Sequence, residues 1–189
     1  TRALPCRYTR LRDNNMSMHI HGTSIPGLKV VERRPHGDER GFLVRLFDAA
    51  DLRACGWTRP IEQINHTHTR TAGTIRGMHY QLPPYAEMKL VSCVRGKIWD
   101  VAIDLRAGSP TFMHWHAEIL SPENGRALLV PEGFAHGFQA LADDSEIVYC
   151  NSAPYAPEAE GGVLYYDERI GIEWPLQPTV ISDRDQRHP

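Results

Sequence analysis

No stretch of this chain holds an apolar run of about 18 residues, the length needed to cross a bilayer as a helix, and no charged-then-apolar leader with a small-residue cleavage site precedes the regular pattern. These absences lead to the expectation of a cytoplasmic protein with no membrane partner. Basic residues are not concentrated either. The 21 Lys and Arg stand against 23 Asp and Glu, a formal charge of −2, which leaves no basic stripe for nucleic acid. A small anion needs only a local cluster of arginines and stays possible. The four cysteines, Cys6, Cys55, Cys93 and Cys150, are far apart and form no CxxC pair, which fits reduced thiols better than a disulfide framework or a zinc knuckle. Helical periodicity is scarce as well. Only "DAADLRACG" reads as a helix, with Asp48 as N-cap and Gly56 as its stop.

What remains is strand and turn material. From Gly27 onward "LKVVERRP" and "GFLVRLF" flank a loop "HGDERG", followed by "KLVSCVRGKIWDVAIDLR", "HWHAEIL", "RALLVP", "GFQAL" and "EIVYC". Turn signals such as "GSP", "SPENG", "PEG" and "ADDS" separate them. Short strands at this spacing without intervening helices predict an all-β antiparallel sandwich or barrel, and the clustered histidines favour a cupin-type jelly roll. At 189 residues with 41% apolar content the chain supports one core. Residues 1–15, basic and aperiodic, are expected to be an extension ahead of a single domain spanning 16–189.

Histidines could signal a metal. "VPEGFAHGF" contains P-x-G-x-x-H ending at His136, and two H-x-H pairs exist, His66/His68 and His114/His116. A metal needs three or four converging donors; "HTHTRTAGTIRG" has no acid after its pair, and "HWHAEIL" is expected on a strand distant from the site. The expectation is therefore no metal and no cofactor. A metal-dependent oxygenase using His66, His68 and His136 is the alternative, as is a non-catalytic sugar-nucleotide-binding cupin.

The blocks "DERGFLVRLF", "QIN", "GTIRGMHYQLPP", "KLVSCVRGKIWDVAIDLRAGSPTF", "LVPEGFAHGF", "VYCNSAPYAPEAE", "GIEWPL" and "ISDRD" occur in an order that resembles the dTDP-4-dehydrorhamnose 3,5-epimerases, over about residues 25–185. The resemblance implies a jelly-roll homodimer acting without a cofactor on a nucleoside-diphospho-4-keto-6-deoxyhexose. The reaction implied is inversion of carbon 3, carbon 5 or both through an enolate. Such chemistry needs a base, an oxyanion partner and an acid on the opposite face.

By this resemblance His79 is the base, Asp185 the carboxylate that fixes its tautomer, Lys89 the cation at the enolate oxygen and Tyr149 the acid. Arg40 and Arg76 would hold the diphosphate, because a guanidinium can donate two hydrogen bonds to it. Gln63 and Asn65 would contact the sugar or base, with His136, Tyr155 and Glu160 as further pocket residues. Arg76, His79 and Lys89 are expected on one hairpin. Two departures stand out. Arg45 occupies a position where the family commonly has a glutamate facing the nucleotide base, and a guanidinium can only donate, which would suit cytosine better than thymine. The usual "DP" near the end is "DER", Asp167 to Arg169.

Overall fold

The computed structural model describes residues 18–189, so the expected extension at 1–15 lies outside the described residues. In chain order the strands are β1 (His19–Gly22), β2 (Lys29–Glu32), β3 (His36–Asp38) and β4 (Gly41–Leu43), then the α-helix α1 (Ala49–Ala54). There follow β5 (Gln63–Thr69), β6 (Ile75–Gln81), β7 (Lys89–Arg95), β8 (Ile98–Asp104), β9 (Trp115–Leu120), β10 (Arg126–Val130), β11 (Phe134–Ala140), β12 (Ser145–Asn151) and β13 (Glu160–Gly162). Two antiparallel sheets carry the fold, one ordered β1-β2-β10-β7-β12-β5 and the other β13-β6-β11-β8-β9. This is the all-β jelly-roll class that the strand spacing predicted.

Alternation of apolar and polar residues decides which face of each strand is buried. Val30, Val91, Ile98, Ala102, Leu128, Val130, Phe134, Phe138 and Ile147 meet between the sheets as the main core. The outer face of the six-stranded sheet is covered by α1 and its flanks, where Leu52 and Trp57 pack on Val31, Leu90 and Leu129. On the outer face of the other sheet, Val163, Ile170, Ile172 and Trp174 cover Met78, Val101 and Ile103. Helix α1 begins as expected: the Asp48 carboxylate accepts the Ala50 and Asp51 N–H groups, two of the donors left open at a helix start.

Two expectations change in the structure. "HGDERG" is not a plain loop, because β3 and β4 pair across it as a separate two-stranded hairpin. The expected strand "GFLVRLF" is cut to Gly41–Leu43, with Phe42 and Leu43 exposed, since nothing among the described residues covers them. The second change concerns Arg76, His79 and Lys89, which do not share a hairpin. Strand β6 pairs with β11 and β13, whereas β7 pairs with β10 and β12 in the opposite sheet. The connection "LPPYAEM" contains two adjacent prolines, which cannot donate to a ladder, so it carries the chain across the sandwich instead of turning it back.

Candidate active site

Between the two sheets the sandwich opens into a cavity of about 820 Å³, within the usual range for small-molecule sites. Every residue expected of the site lines it except Arg40 and Arg45. The sheets make opposite walls. One carries His79 and His136, register partners in the β6–β11 ladder. The other carries Lys89, Tyr149 and Asn65, with Asn65 opposite Tyr149 and Asn151 opposite Lys89.

His79 is held from behind. Its Nε2 stands 2.8 Å from Asp185 Oδ1, and the other carboxylate oxygen accepts the Gly77 N–H at 3.1 Å. Asp185 is buried. Burial alone would raise its pKa, but the His79 and Gly77 hydrogen bonds outweigh that and hold the carboxyl well below the usual carboxylate range. An ionised Asp185 accepts from Nε2–H, which leaves Nδ1 as the nitrogen free to take a proton. The local backbone makes this possible. Gly77 has φ +128°, and a Cβ there would lie 2.6 Å from Gly137 Cα, so only glycine lets β6 approach β11 at this point.

His136 has its own carboxylate, Asp100, whose Oδ1 lies 2.9 Å from Nε2. Asp100 is fully buried and its Oδ2 has no partner. Sequence reasoning missed Asp100, which reads as an ordinary alternating position in "KIWDVAID"; only the register Phe138↔Asp100 places it under the cavity floor.

On the opposite wall Lys89 Nζ lies 3.1 Å from Glu87 Oε1, and both side chains are nearly buried, 12% and 8% exposed. Glu87 was also missed. It sits two residues before Lys89 and so on the same face of the extended chain. Truncating either partner would leave a buried charge uncompensated, which typically costs about 3 to 5 kcal/mol.

The rim is polar. Tyr155 Oη donates to Glu160 Oε2 at 2.9 Å, and that carboxylate holds the tyrosine above its ordinary pKa. Arg184, a third residue not foreseen, donates from one nitrogen to both Glu160 oxygens at 3.0 Å, while its other terminal nitrogen comes within 3.0 Å of His79 Nε2. Buried Gln81 fixes this loop by donating to Tyr85 O and Pro154 O and accepting from Ala156 N. Arg76 spans the mouth, donating to Thr69 Oγ1 and His68 O at 3.2 Å.

Arg40 and Arg45 lie elsewhere. Arg40 pairs with Asp38 in the exposed hairpin, and Arg45 donates to Asp48 Oδ2 at 2.8 Å. The oxygenase triad is not assembled either. His66 and His68 pair with Glu146 and Asp144 on solvent-exposed ground, while His136 is buried in the other sheet. Among the described residues no helix is long and apolar enough to cross a membrane.

A family model described as dTDP-4-dehydrorhamnose 3,5-epimerase matches residues 22–189. A dTDP-4-dehydrorhamnose 3,5-epimerase of Shigella flexneri is 45% identical over 170 residues, covering 89% of this chain and 93% of that protein. Among solved structures, the Bacillus anthracis epimerase with TDP and PPi bound superposes with a TM-score of 0.87 at 39% identity, over 92% of this chain and 99% of that one. The Legionella pneumophila dTDP-6-deoxy-D-glucose-3,5-epimerase in complex with dTDP-4-keto-L-rhamnose also gives 0.87 at 39% identity, over 91% and 92%.

Proposed function

Given that this chain belongs to the dTDP-4-dehydrorhamnose 3,5-epimerase family, an isomerase family acting on sugar nucleotides, we propose that its cavity epimerises a dTDP-linked 4-keto-6-deoxyhexose through His79 and Tyr149 on opposite walls. The observation that carries the reading is the buried Asp185 fixing the His79 tautomer while Tyr149 faces it from the other sheet. A hydrogen next to a ketone can be removed because its electron pair spreads onto the carbonyl oxygen. His79 Nδ1 takes that proton, the C–H pair becomes the C=C of the enolate, and the negative charge appears on oxygen. The Lys89 ammonium offsets it. Tyr149 then gives its phenolic proton to the same carbon from the other face, so the carbonyl re-forms with inverted configuration. Imidazolium and phenolate exchange protons with solvent to restore the starting states. His136, held by Asp100, offers a polar contact to the sugar ring.

The diphosphate would lie toward Arg76 at the mouth, with Tyr155, Gln63 and Asn65 around the sugar and base. Arg40 and Arg45 fit this reading through a homodimer. They sit on and beside a hairpin whose Phe42 is 70% exposed and Leu43 56% exposed, an apolar tip that a second copy would cover. From there the two arginines would reach that copy's cavity. The test is proton exchange in heavy water with dTDP-4-keto-6-deoxyglucose, followed by NMR. Deuterium at carbon 3, carbon 5 or both, with inversion, is expected; no incorporation would overturn the reading.

A further inference from the structure

Behind the base lies a third group that the proposed reaction does not use. His188 follows the short helical turn Asp185–Arg187 and does not line the cavity. Its Nε2 is buried without a hydrogen-bond partner, 3.7 Å from Asp185 Oδ1. A buried polar atom without a partner destabilises the site, so a ligand that engages it recovers that cost. The ring is held where it is. It stands edge-on to His79 with centroids 5.6 Å apart, and it lies so close over Gly162 that a Cβ there would meet three ring atoms at 2.3 to 2.4 Å. Any residue but glycine at 162 would push the imidazole away from Asp185.

One donor atom from each of His79, Asp185 and His188 lies within 4.8 Å of the others. We propose that these three side chains form an inhibitory site for a borderline divalent cation of the zinc type. Two imidazole nitrogens and one carboxylate oxygen are the donors such an ion prefers, whereas magnesium and calcium favour all-oxygen shells. Zinc bonds of about 2.0 to 2.2 Å place tetrahedral ligands roughly 3.4 Å apart, so the His79–Asp185 pair, at 2.8 Å, must open while His188, 3.7 Å from Asp185, draws in, with water in the fourth position.

Inhibition follows from the tautomer, and this part rests on reading His79 as the base. With its Nε2 on the metal, a neutral imidazole carries its proton on Nδ1, and the nitrogen that should accept the substrate proton is already an N–H. No proton is gained or lost by His79; it moves from one ring nitrogen to the other. Arg184 opposes the ion, since its guanidinium lies 3.0 Å from His79 Nε2. That side chain is half exposed, paired through Nη1 with Glu160 and through Nε with Asp185 Oδ1 at 3.4 Å; the ion displaces it from Asp185, and it can swing outward on its Glu160 contact. Asp185 and Glu160 together then outnumber the one cation facing the site.

The experiment measures zinc uptake by equilibrium dialysis and turnover separately. Turnover by chelator-treated wild type comes first and tests the catalytic reading alone. Wild type is then expected to bind one zinc per chain and to lose at least about tenfold in turnover, restored by EDTA. His188→Ala and His188→Gln, the second keeping volume over Gly162, are expected to bind zinc at least about tenfold more weakly, since even an outer partner of a metal ligand commonly contributes that much. Cobalt gives a readout free of turnover: a tetrahedral visible spectrum in wild type that is lost in both variants. Absence of uptake by wild type, or equal uptake by wild type and both variants, would overturn the proposal.

Discussion

His79 and His136 stand directly opposite each other in the β6–β11 ladder, and each is held through Nε2 by a different buried carboxylate, Asp185 at 2.8 Å and Asp100 at 2.9 Å. Two similar dyads on one wall invite the question of which imidazole moves the proton. Position favours His79, because its carboxylate is also anchored by the Gly77 N–H and sits beside the Arg184–Glu160 rim.

Replacing His79 with Asn should therefore abolish deuterium exchange at the substrate carbons, by about 10² to 10⁴ in rate, while dTDP binding stays near wild type. Asp185→Asn should be milder, since the base remains and only its tautomer and placement are loosened. Exchange by NMR and dTDP affinity by calorimetry check both. Exchange in His79→Asn above about a tenth of the wild-type rate would move the base to His136.

Tyr149→Phe should divide the reaction. The base can still remove a proton and return it to the same face, so deuterium enters with retained configuration while inversion falls. Chiral analysis of the exchanged sugar reads the two outcomes. Equal loss of exchange and inversion would mean that the phenol stabilises the enolate.

Acid should destabilise the fold through two carboxylates. Burial would raise the pKa of Asp104, but hydrogen bonds from Arg106, Ser109 and Thr111 outweigh it and hold the group well below the usual carboxylate range, as Asp185 is held by His79 and Gly77. Both pKa values are lower folded than unfolded, so the unfolded chain binds more protons in this range. The stability they contribute is complete above the ordinary carboxylate range and is lost as pH falls through it toward the folded values, beginning below about pH 5. Asp104→Asn should cost about 2 to 3 kcal/mol at neutral pH and flatten this acid dependence. Urea unfolding across pH measures both.

Arg45 bears on the nucleotide. It donates to Asp48 in its own chain, and only a second copy would bring it near a base. If it faces that base, CDP should gain on dTDP relative to Arg45→Glu, by roughly tenfold to a hundredfold in affinity ratio, the value of one mismatched buried donor. Calorimetry with both nucleotides on both proteins decides. An unchanged ratio would leave Arg45 as the partner of the α1 N-cap and nothing more.

What the sequence by itself determined is what depends on neighbours along the chain. Period-two alternation placed most strands, because a side chain's face is set by its parity in an extended backbone. The Asp48 cap was equally legible, since its bonds reach only two and three residues ahead. The set His79, Lys89, Tyr149 and Asp185 was readable only as ordered blocks of a known family, because nothing local links residue 79 to residue 185. The tertiary structure alone decided how these pieces meet. The two prolines after β6 sent Lys89 to the opposite wall, the β8–β11 register put Asp100 under His136, and glycines at 77 and 162 let the backbone and His188 close in around Asp185. Glu87, Arg184 and His188 became visible the same way. Their neighbours are set by sheet pairing and chain crossing, which bring distant residues within hydrogen-bond range and leave no periodic trace in the sequence.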